Sequence, residues 1–171
     1  AHTNLDMAPD SGVNVALSQA LGMVNCRGIC PHGSGFEAMV GELPEEMEPN
    51  VFARHVKKSL HCGGIRFVPG NRKVKTVGLC SGAGADFLDA AMDAGCDLFL
   101  TGDVKYHTAQ HARDIGMNLL DCGHYATEAI FCENMAARLR ACLEDEDALQ
   151  LLISQVNLNP FVSLQKIRET D

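Results

Sequence analysis

The sequence of this 171-residue chain predicts an α/β fold with mixed, largely parallel sheets and flanking helices. Short apolar segments alternate with longer amphipathic segments along its second half, and this alternation is typical of βαβ units. Apolar residues make up 46% of the chain and charged residues 21%, which is enough to build a core of ordinary size. Aromatic residues make up only 5%, so we expect an aliphatic core that is rich in methionine.

The first half of the chain predicts two helices joined by less regular sequence. Residues 11–21 have apolar side chains at mostly helical spacing, and the Ser11 hydroxyl can cap the first turn. Residues 51–60 are amphipathic, so we expect a second helix with one face in the core. The intervening sequence predicts a loop over 25–35, a short strand over 36–41 and a polar connection over 42–48.

The second half has a more regular pattern. It predicts strands over 74–80, 97–100, 118–122 and 149–154, helices after the first two, and a long helix over 124–143. The basic stretch 66–75 is interpreted as a solvated turn that leads into the first of these strands. Ligands of parallel sheets bind outside the carboxyl ends of the strands. We therefore expect the loops 81–84, 101–103 and 122–125 at one sheet edge, with the segment 4–6 as a candidate for the same edge.

Charge and cysteine content narrow the class of protein. The chain has 14 Lys and Arg against 22 Asp and Glu, and a net charge of −8 argues against binding of nucleic acid. Its eight cysteines lie in segments that resemble strands and helices, which favours free thiols in a reducing cytosol. The sequence shows neither an apolar run of 18 residues nor a signal-peptide pattern. We therefore expect a soluble cytoplasmic protein that does not bind membranes.

His124 and Glu128 form the clearest candidate for a metal site. They lie four residues apart at the start of a predicted helix, so their side chains leave the same face about one turn apart. An imidazole and a carboxylate together suit zinc, manganese, iron or cobalt, with a further ligand from elsewhere in the chain. The spacing leaves open the alternative of a solvent-facing pair on a capped helix.

Asp6 is a weaker candidate ligand. It follows a segment that resembles the end of a strand, and a carboxylate there can bind a divalent ion. An Asx turn or a helix cap beside Pro9 and Ser11 is the simpler explanation of Asp6 taken alone.

Two further groups of histidine and cysteine are considered. His107 and His111 are four residues apart but lack the glutamate of the zinc-protease arrangement. A His107 that faces the core or the neighbourhood of the site, and an exposed His111, are therefore favoured. The second group fits no strong zinc template; it consists of Cys26, Cys30 and His32.

The loop 81–84 is a possible anion-binding loop. Ser81, Gly82 and Gly84 lie at a predicted strand-to-helix turn, where backbone amides can approach an anion. The loop lacks the lysine of a P-loop, however, and close packing of helix on sheet also explains its glycines.

Four motifs occur in order along the chain. They are AHTNLDMAPDSGVN at the start, VGLCSGAGADFLDAAMDAGCDLFLTGDVKYH from Val77, LLDCGHYATE from Leu119, and an ending with Ser154, Pro160 and Phe161. This series resembles the NIF-three-like dinuclear-metal proteins, often labelled GTP cyclohydrolase 1 type 2 homologues. The resemblance extends over nearly the whole chain.

The resemblance implies two similar α/β lobes with a pair of divalent ions between them, assembled as a homohexamer. The ions would be zinc, manganese, iron, cobalt or magnesium. Asp6 would bind one ion, His124 the other, and Glu128 would bridge both, while His2 and His107 would lie near the site without binding metal. The family label implies a metal-dependent hydrolase that acts on a nucleotide or a similar small molecule. A non-catalytic metal-binding scaffold that binds partners is the alternative.

The chain differs from the family pattern in one respect. The family takes further metal ligands from a His–His pair upstream of the HTNLD motif, and no such pair precedes that motif here. We therefore expect the chain to correspond to the C-terminal two-thirds of the family's compact form, with an incomplete metal site. Residues 1–60 would then belong to the first lobe or the lobe junction, and residues 61–171 to the second lobe.

Overall fold

The computed structural model describes residues 4–143 and 150–162, and within residues 4–143 one mixed sheet is flanked by helices. The strands in these residues are β1 (Val24–His32), β2 (Gly35–Met47), β3 (Arg66–Val68), β4 (Val74–Leu79), β5 (Leu98–Thr101) and β6 (Asn118–Asp121). The α-helices are α1 (Val13–Ala20), α2 (Pro49–Ser59), α3 (Leu88–Asp93), α4 (Tyr106–Asp114) and α5 (His124–Cys142). Two short 3₁₀ turns, Asn4–Met7 and Ala85–Phe87, precede α1 and α3.

The strands are arranged in the order β1-β2-β4-β5-β6-β3. The central strands β4, β5 and β6 are parallel to one another. The β1–β2 hairpin is added antiparallel at one side, and β3 pairs antiparallel with β6 at the other. The predicted mixed α/β fold is confirmed, with parallel pairing confined to the three central strands. Strands from both sides of residue 60 share this sheet, because β2 pairs with β4.

Helices cover both faces of the sheet because successive strand residues point to opposite faces. In β5, Leu98 and Leu100 pack in a cluster with side chains of α1 and α2, whereas Phe99 packs in a second cluster with side chains of α3 and α4. All three side chains are fully buried. At roughly 25 cal/mol per Å² of apolar surface, each such side chain stabilises the fold by about 2–3 kcal/mol.

The predicted loop over 25–35 and polar connection over 42–48 are wrong, because both stretches belong to the long β1–β2 hairpin. β1 is an edge strand whose residues are mostly exposed, so it needs no regular apolar alternation. It also tolerates Pro31, since an edge strand has one side without ladder hydrogen bonds. β2 passes Pro44 where its register with β4 shifts, between Glu42 and Met47.

Two smaller predictions also differ from the structure. Arg66–Val68 is a short edge strand and not part of a turn, because its three residues pair with β6. The predicted strand over 149–154 is absent from residues 150–154, which have no regular secondary structure. Residue 149 lies outside the described part of the chain. Across the described ranges, no helix is both long enough and apolar enough to cross a membrane.

Candidate metal centre

Three loops meet at the carboxyl ends of β4, β5 and β6. The Gly102 amide donates to the carbonyl of Gly82 at 2.8 Å, which joins the first loop to the second. The Cys122 amide donates to the carbonyl of Thr101 at 2.9 Å, which joins the second to the third. The predicted clustering of these loops at one edge is confirmed, because parallel strands bring their carboxyl ends together.

His124 and Glu128 lie on the first turns of α5, directly above this edge. α5 begins after Gly123, whose φ of 81° places it in the left-handed region that glycine adopts without strain. The imidazole Nε2 of His124 lies 3.1 Å from Oε1 of Glu128, and both side chains are about half-exposed. The predicted pair on one helix face is therefore present and open to solvent.

Asp103 orients the imidazole of His124. Its Oδ2 lies 2.8 Å from the Nδ1 of His124, and because a carboxylate only accepts, Nδ1 carries the proton. This hydrogen bond raises the pKa of His124; partial burial opposes the rise, and the charge of Glu128 adds to it. The Glu128 carboxylate also only accepts, so both contacts are satisfied together when the ring is protonated on both nitrogens. In the neutral ring the shorter contact, to Asp103, favours the proton on Nδ1 and leaves Nε2 free to bind a metal ion, as in the carboxylate–histidine arrangement around many bound metals.

Gly82 leaves the space in which these side chains meet. A Cβ placed on Gly82 would lie 2.5 Å from Oε1 of Glu128 and 3.2 Å from Nε2 of His124. The φ of Gly82 is also +66°, which disfavours any side chain. Its amide donates to the Thr127 hydroxyl at 2.9 Å, so the loop is fixed to α5.

Two other amides of the loop 81–84 also make hydrogen bonds inside the chain. The Ser81 amide donates to Oδ1 of Asn14 at 2.8 Å, and the Gly84 amide donates to the Thr101 hydroxyl at 2.8 Å. These bonds, with that of Gly82 to Thr127, favour the packing interpretation of the loop over the anion-binding one.

Asp6 lies in the 3₁₀ turn before α1. Its Oδ1 accepts a hydrogen bond from the Met7 amide at 3.1 Å. The pKa of the buried Cys80 thiol is raised to about 12, first by burial and then by the charges of Asp6, Glu37, Cys30 and Glu128. Among the described residues, Asp6 forms no group of three metal-binding side chains with His124 and Glu128.

The donor atoms fit part of a metal site. Two donors at 2.0–2.2 Å from one ion are about 2.8–3.6 Å apart at octahedral or tetrahedral angles. The separation of 3.1 Å between Nε2 of His124 and Oε1 of Glu128 falls in this range. Within residues 4–143 and 150–162, no group of three or more His, Cys, Asp or Glu side chains is arranged to hold an ion. The pair is thus suited to be half of a site.

The remaining candidates lie elsewhere or outside the described residues. The expectation of a His107 that faces the core is wrong, because His107 is exposed on α4 with its Nδ1 3.3 Å from Oε1 of Gln110. His111 is exposed, as expected, and pairs with Asp89. His32 pairs with Glu37 at 2.8 Å near the tip of the β1–β2 hairpin. His2 lies outside the described part of the chain.

Two contributors were missed by pattern alone. Asp103 belongs to no periodic motif, and only its position in a loop at the expected ligand edge pointed to it. In the structure it has a φ of 53°, which is uncommon for a residue other than glycine. Thr127 lies in the first turns of α5 and is fully buried. Its hydroxyl accepts a hydrogen bond from the Gly82 amide, a contact between distant residues that helical spacing cannot predict.

The fold and this edge define an α/β protein with a histidine–carboxylate site where parallel strands end. The chain belongs to the Duf34/NIF3 (NGG1p interacting factor 3) family, whose profile matches residues 1–160. The resemblance inferred from the four motifs is thereby confirmed.

Relatives and solved structures agree with this assignment. The chain is 33% identical over 170 residues to the GTP cyclohydrolase 1 type 2 homolog of Streptococcus pneumoniae, covering 94% of this chain and 62% of the relative. It is 34% identical over 127 residues to the homolog of Pseudomonas aeruginosa, covering 74% and 50%. The crystal structure of the Staphylococcus aureus hypothetical protein SA1388 superimposes with a TM-score of 0.85 at 26% identity, covering 94% of this chain and 66% of that one. The chain thus spans between half and two-thirds of the length of these proteins.

Proposed function

We propose that this chain provides part of the metal centre of a divalent-metal-dependent hydrolase that acts on a nucleotide or a similar small molecule. The observation that carries the proposal is the array Asp103–His124–Glu128, in which one imidazole is held between two carboxylates at a sheet edge. The name GTP cyclohydrolase 1 type 2 homolog, carried by several relatives, supports a nucleotide as the class of substrate.

In this proposal His124 would bind metal through Nε2 and Glu128 through its carboxylate. Asp6 would be the third ligand, as the family resemblance implies. Such ions supply Lewis acidity, which activates water for hydrolysis at neutral pH. Zinc, manganese, iron and cobalt suit the mixed nitrogen and oxygen donors better than magnesium.

Three further residues of this chain hold the proposed ligands in position. Asp103 holds the Nδ1 proton and thereby keeps Nε2 directed at the ligand position. Gly82 leaves room beside Glu128, because a side chain there would occupy the space between the two donors. Thr127 fixes the Gly82 loop against α5 and so keeps the distance between loop and helix constant.

Turnover with defined metals tests the proposal. The protein is loaded in turn with manganese, iron and zinc and assayed with GTP, other nucleotides and simple phosphoesters. We expect hydrolysis that is lost on chelation and in His124→Ala and Glu128→Ala, while His107→Ala, a histidine on the surface of α4, retains it. Absence of metal-dependent turnover on every substrate would count against the hydrolase.

A second candidate is a non-catalytic metal-binding scaffold, and the family description favours it by naming an interacting factor. The variants His124→Ala and Glu128→Ala separate the two proposals when oligomeric state is measured by light scattering. A scaffold predicts that metal content falls in both variants while the expected homohexamer and its partner binding persist, with no turnover in the wild type.

A further inference from the structure

A buried carboxylate lies just below the metal candidates, at the end of β6. Asp121 is 6% exposed and accepts hydrogen bonds from backbone amides of two different loops. Its Oδ1 accepts from the Gly123 amide at 3.0 Å, in the loop that precedes His124. Its Oδ2 accepts from the Val104 amide at 3.2 Å, in the loop that carries Asp103. One side chain thus contacts the backbone next to each partner of the Asp103–His124 hydrogen bond.

Arg66 from the edge strand β3 completes this arrangement. It lies directly opposite Asp121 in the β3–β6 pair, and its Nη2 donates both to Oδ2 of Asp121 and to the carbonyl of Val104, the latter at 2.8 Å. The guanidinium supplies the positive charge that a buried carboxylate requires. It also donates to the carbonyl of Val104, so that both the amide and the carbonyl of this residue are held.

We infer that Asp121 is a positioning residue, which with Arg66 fixes the two loops so that the carboxylate of Asp103 meets the imidazole of His124. The inference rests on the proposed function in that the oriented imidazole is taken to be a metal ligand. The side chains of Asp103 and His124 are both about half-exposed, so surrounding packing alone does not fix them. The residue next to each of them is held instead by a backbone hydrogen bond to one buried side chain, Asp121.

Asn118 offers a matched control on the same strand. It is fully buried at the opposite end of β6 and, like Asp121, makes hydrogen bonds to three groups. Its amide contacts the amide of Gly70 and the carbonyls of Arg72 and Asp97, which lie away from the carboxyl edge of the sheet. The isosteric exchange Asp121→Asn turns an NH₂ group toward N–H donors, and Asn118→Asp turns an oxygen toward carbonyl oxygens, so both should lower the stability of the fold.

The tautomer of His124 in the metal-free protein tests the inference directly. Two-bond proton–nitrogen NMR spectra under alkaline conditions show which ring nitrogen carries the proton. We expect the Nδ1–H form in the wild type and in Asn118→Asp. We expect a shift toward the Nε2–H form in Asp121→Asn, in Arg66→Met and in the reference variant Asp103→Asn. A wild-type tautomer in folded Asp121→Asn, or an equal shift in Asn118→Asp, would overturn the inference.

Titration with Co²⁺ measures the consequence for the proposed ligand. Loss of a group that orients a metal-binding histidine typically costs about 10–100-fold in affinity, and we expect about tenfold for Asp121→Asn, less for Arg66→Met and under about twofold for Asn118→Asp. If Asp121→Asn does not fold, Arg66→Met decides, because its side chain is largely exposed. Unchanged tautomer and affinity in that variant overturn the inference. A wild type that binds no Co²⁺ contradicts the proposed function. In that case the tautomer of His124 in the metal-free variants still tests whether Asp121 positions the two loops.

Discussion

The imidazole Nδ1 of His124 lies 2.8 Å from Oδ2 of Asp103, a residue 21 positions earlier on a different loop. This contact exists because β5 and β6 are parallel neighbours, so the loops that follow them emerge side by side. It leaves the other ring nitrogen directed at Glu128. The contact therefore connects the topology of the sheet to the chemistry of the candidate site.

Removal of the Asp103 carboxylate should weaken metal binding. In Asp103→Asn the side chain no longer holds the Nδ1 proton as a charged acceptor, and we expect Zn²⁺ affinity to fall by about tenfold in calorimetric titration. Asp89→Asn is the matched control, because Asp89 pairs with His111 at 2.6 Å in a similar carboxylate–histidine contact on the surface. An equal fall in both variants would show that the effect is one of net charge.

The stability of the metal-free protein should depend on pH through His124. Its pKa is raised above the ordinary 6.5, mainly by the hydrogen bond to Asp103. The stabilisation is therefore fully present below the unfolded pKa and is lost as pH rises through the folded pKa. Because the pair is half-exposed, we expect about 1 kcal/mol or less. Urea unfolding of the wild type and of Asp103→Asn at several pH values measures this contribution to the free energy of unfolding. A difference in stability between the two proteins that grows with rising pH would contradict this account.

Substitution of Gly82 should affect the site beyond its cost in backbone strain. In Gly82→Ala the new methyl group would lie 2.5 Å from Oε1 of Glu128, so Glu128 has to move and we expect metal binding to weaken. Gly95→Ala is the control, since Gly95 also has a positive φ, +82°, but has no atom within 4 Å of a built Cβ. Both variants should lose about 1–2 kcal/mol of stability from strain. Metal binding in Gly82→Ala equal to that in Gly95→Ala would refute the role of the close approach.

Cysteine reactivity should follow burial. Cys80 and Cys96 are buried, and burial is the main cause that raises the pKa of each thiol to about 12. The exposed thiols of Cys26, Cys132 and Cys142 should react first with iodoacetamide in the native protein. Mass spectrometry of peptides after a short exposure measures the order, and unfolding in urea should make all eight cysteines reactive. Early modification of Cys80 would show that the loop 81–84 opens.

The central part of the fold could be predicted because its elements have strong periodic patterns. The strands β4, β5 and β6 are short and apolar, and the helices between them have one apolar face. The β1–β2 hairpin could not be predicted in this way, since most residues of β1 are exposed. The three residues of β3 are too few to form a pattern, and they become a strand only by pairing with β6.

The candidate site was predictable only in part, for a related reason. His124 and Glu128 are close in sequence, so helix geometry alone places them together. Asp103, Asp121 and Gly82 reach the site through the neighbouring positions of three strands, and no local pattern contains that information. Asp6 depends on the position of a turn before α1, which a Cβ at Gly12 would disturb, since it would lie 2.5 Å from the Asp6 carbonyl oxygen.

The central claim is that His124 and Glu128 bind a divalent ion, and metal content measures it most directly. The wild type, His124→Ala, Glu128→Ala and the control His107→Ala are equilibrated with Zn²⁺ or Mn²⁺, freed of unbound metal and subjected to elemental analysis. We predict bound metal in the wild type and His107→Ala, and loss of most of it in the other two variants. Equal metal content in all four proteins, or none in the wild type, would contradict the account.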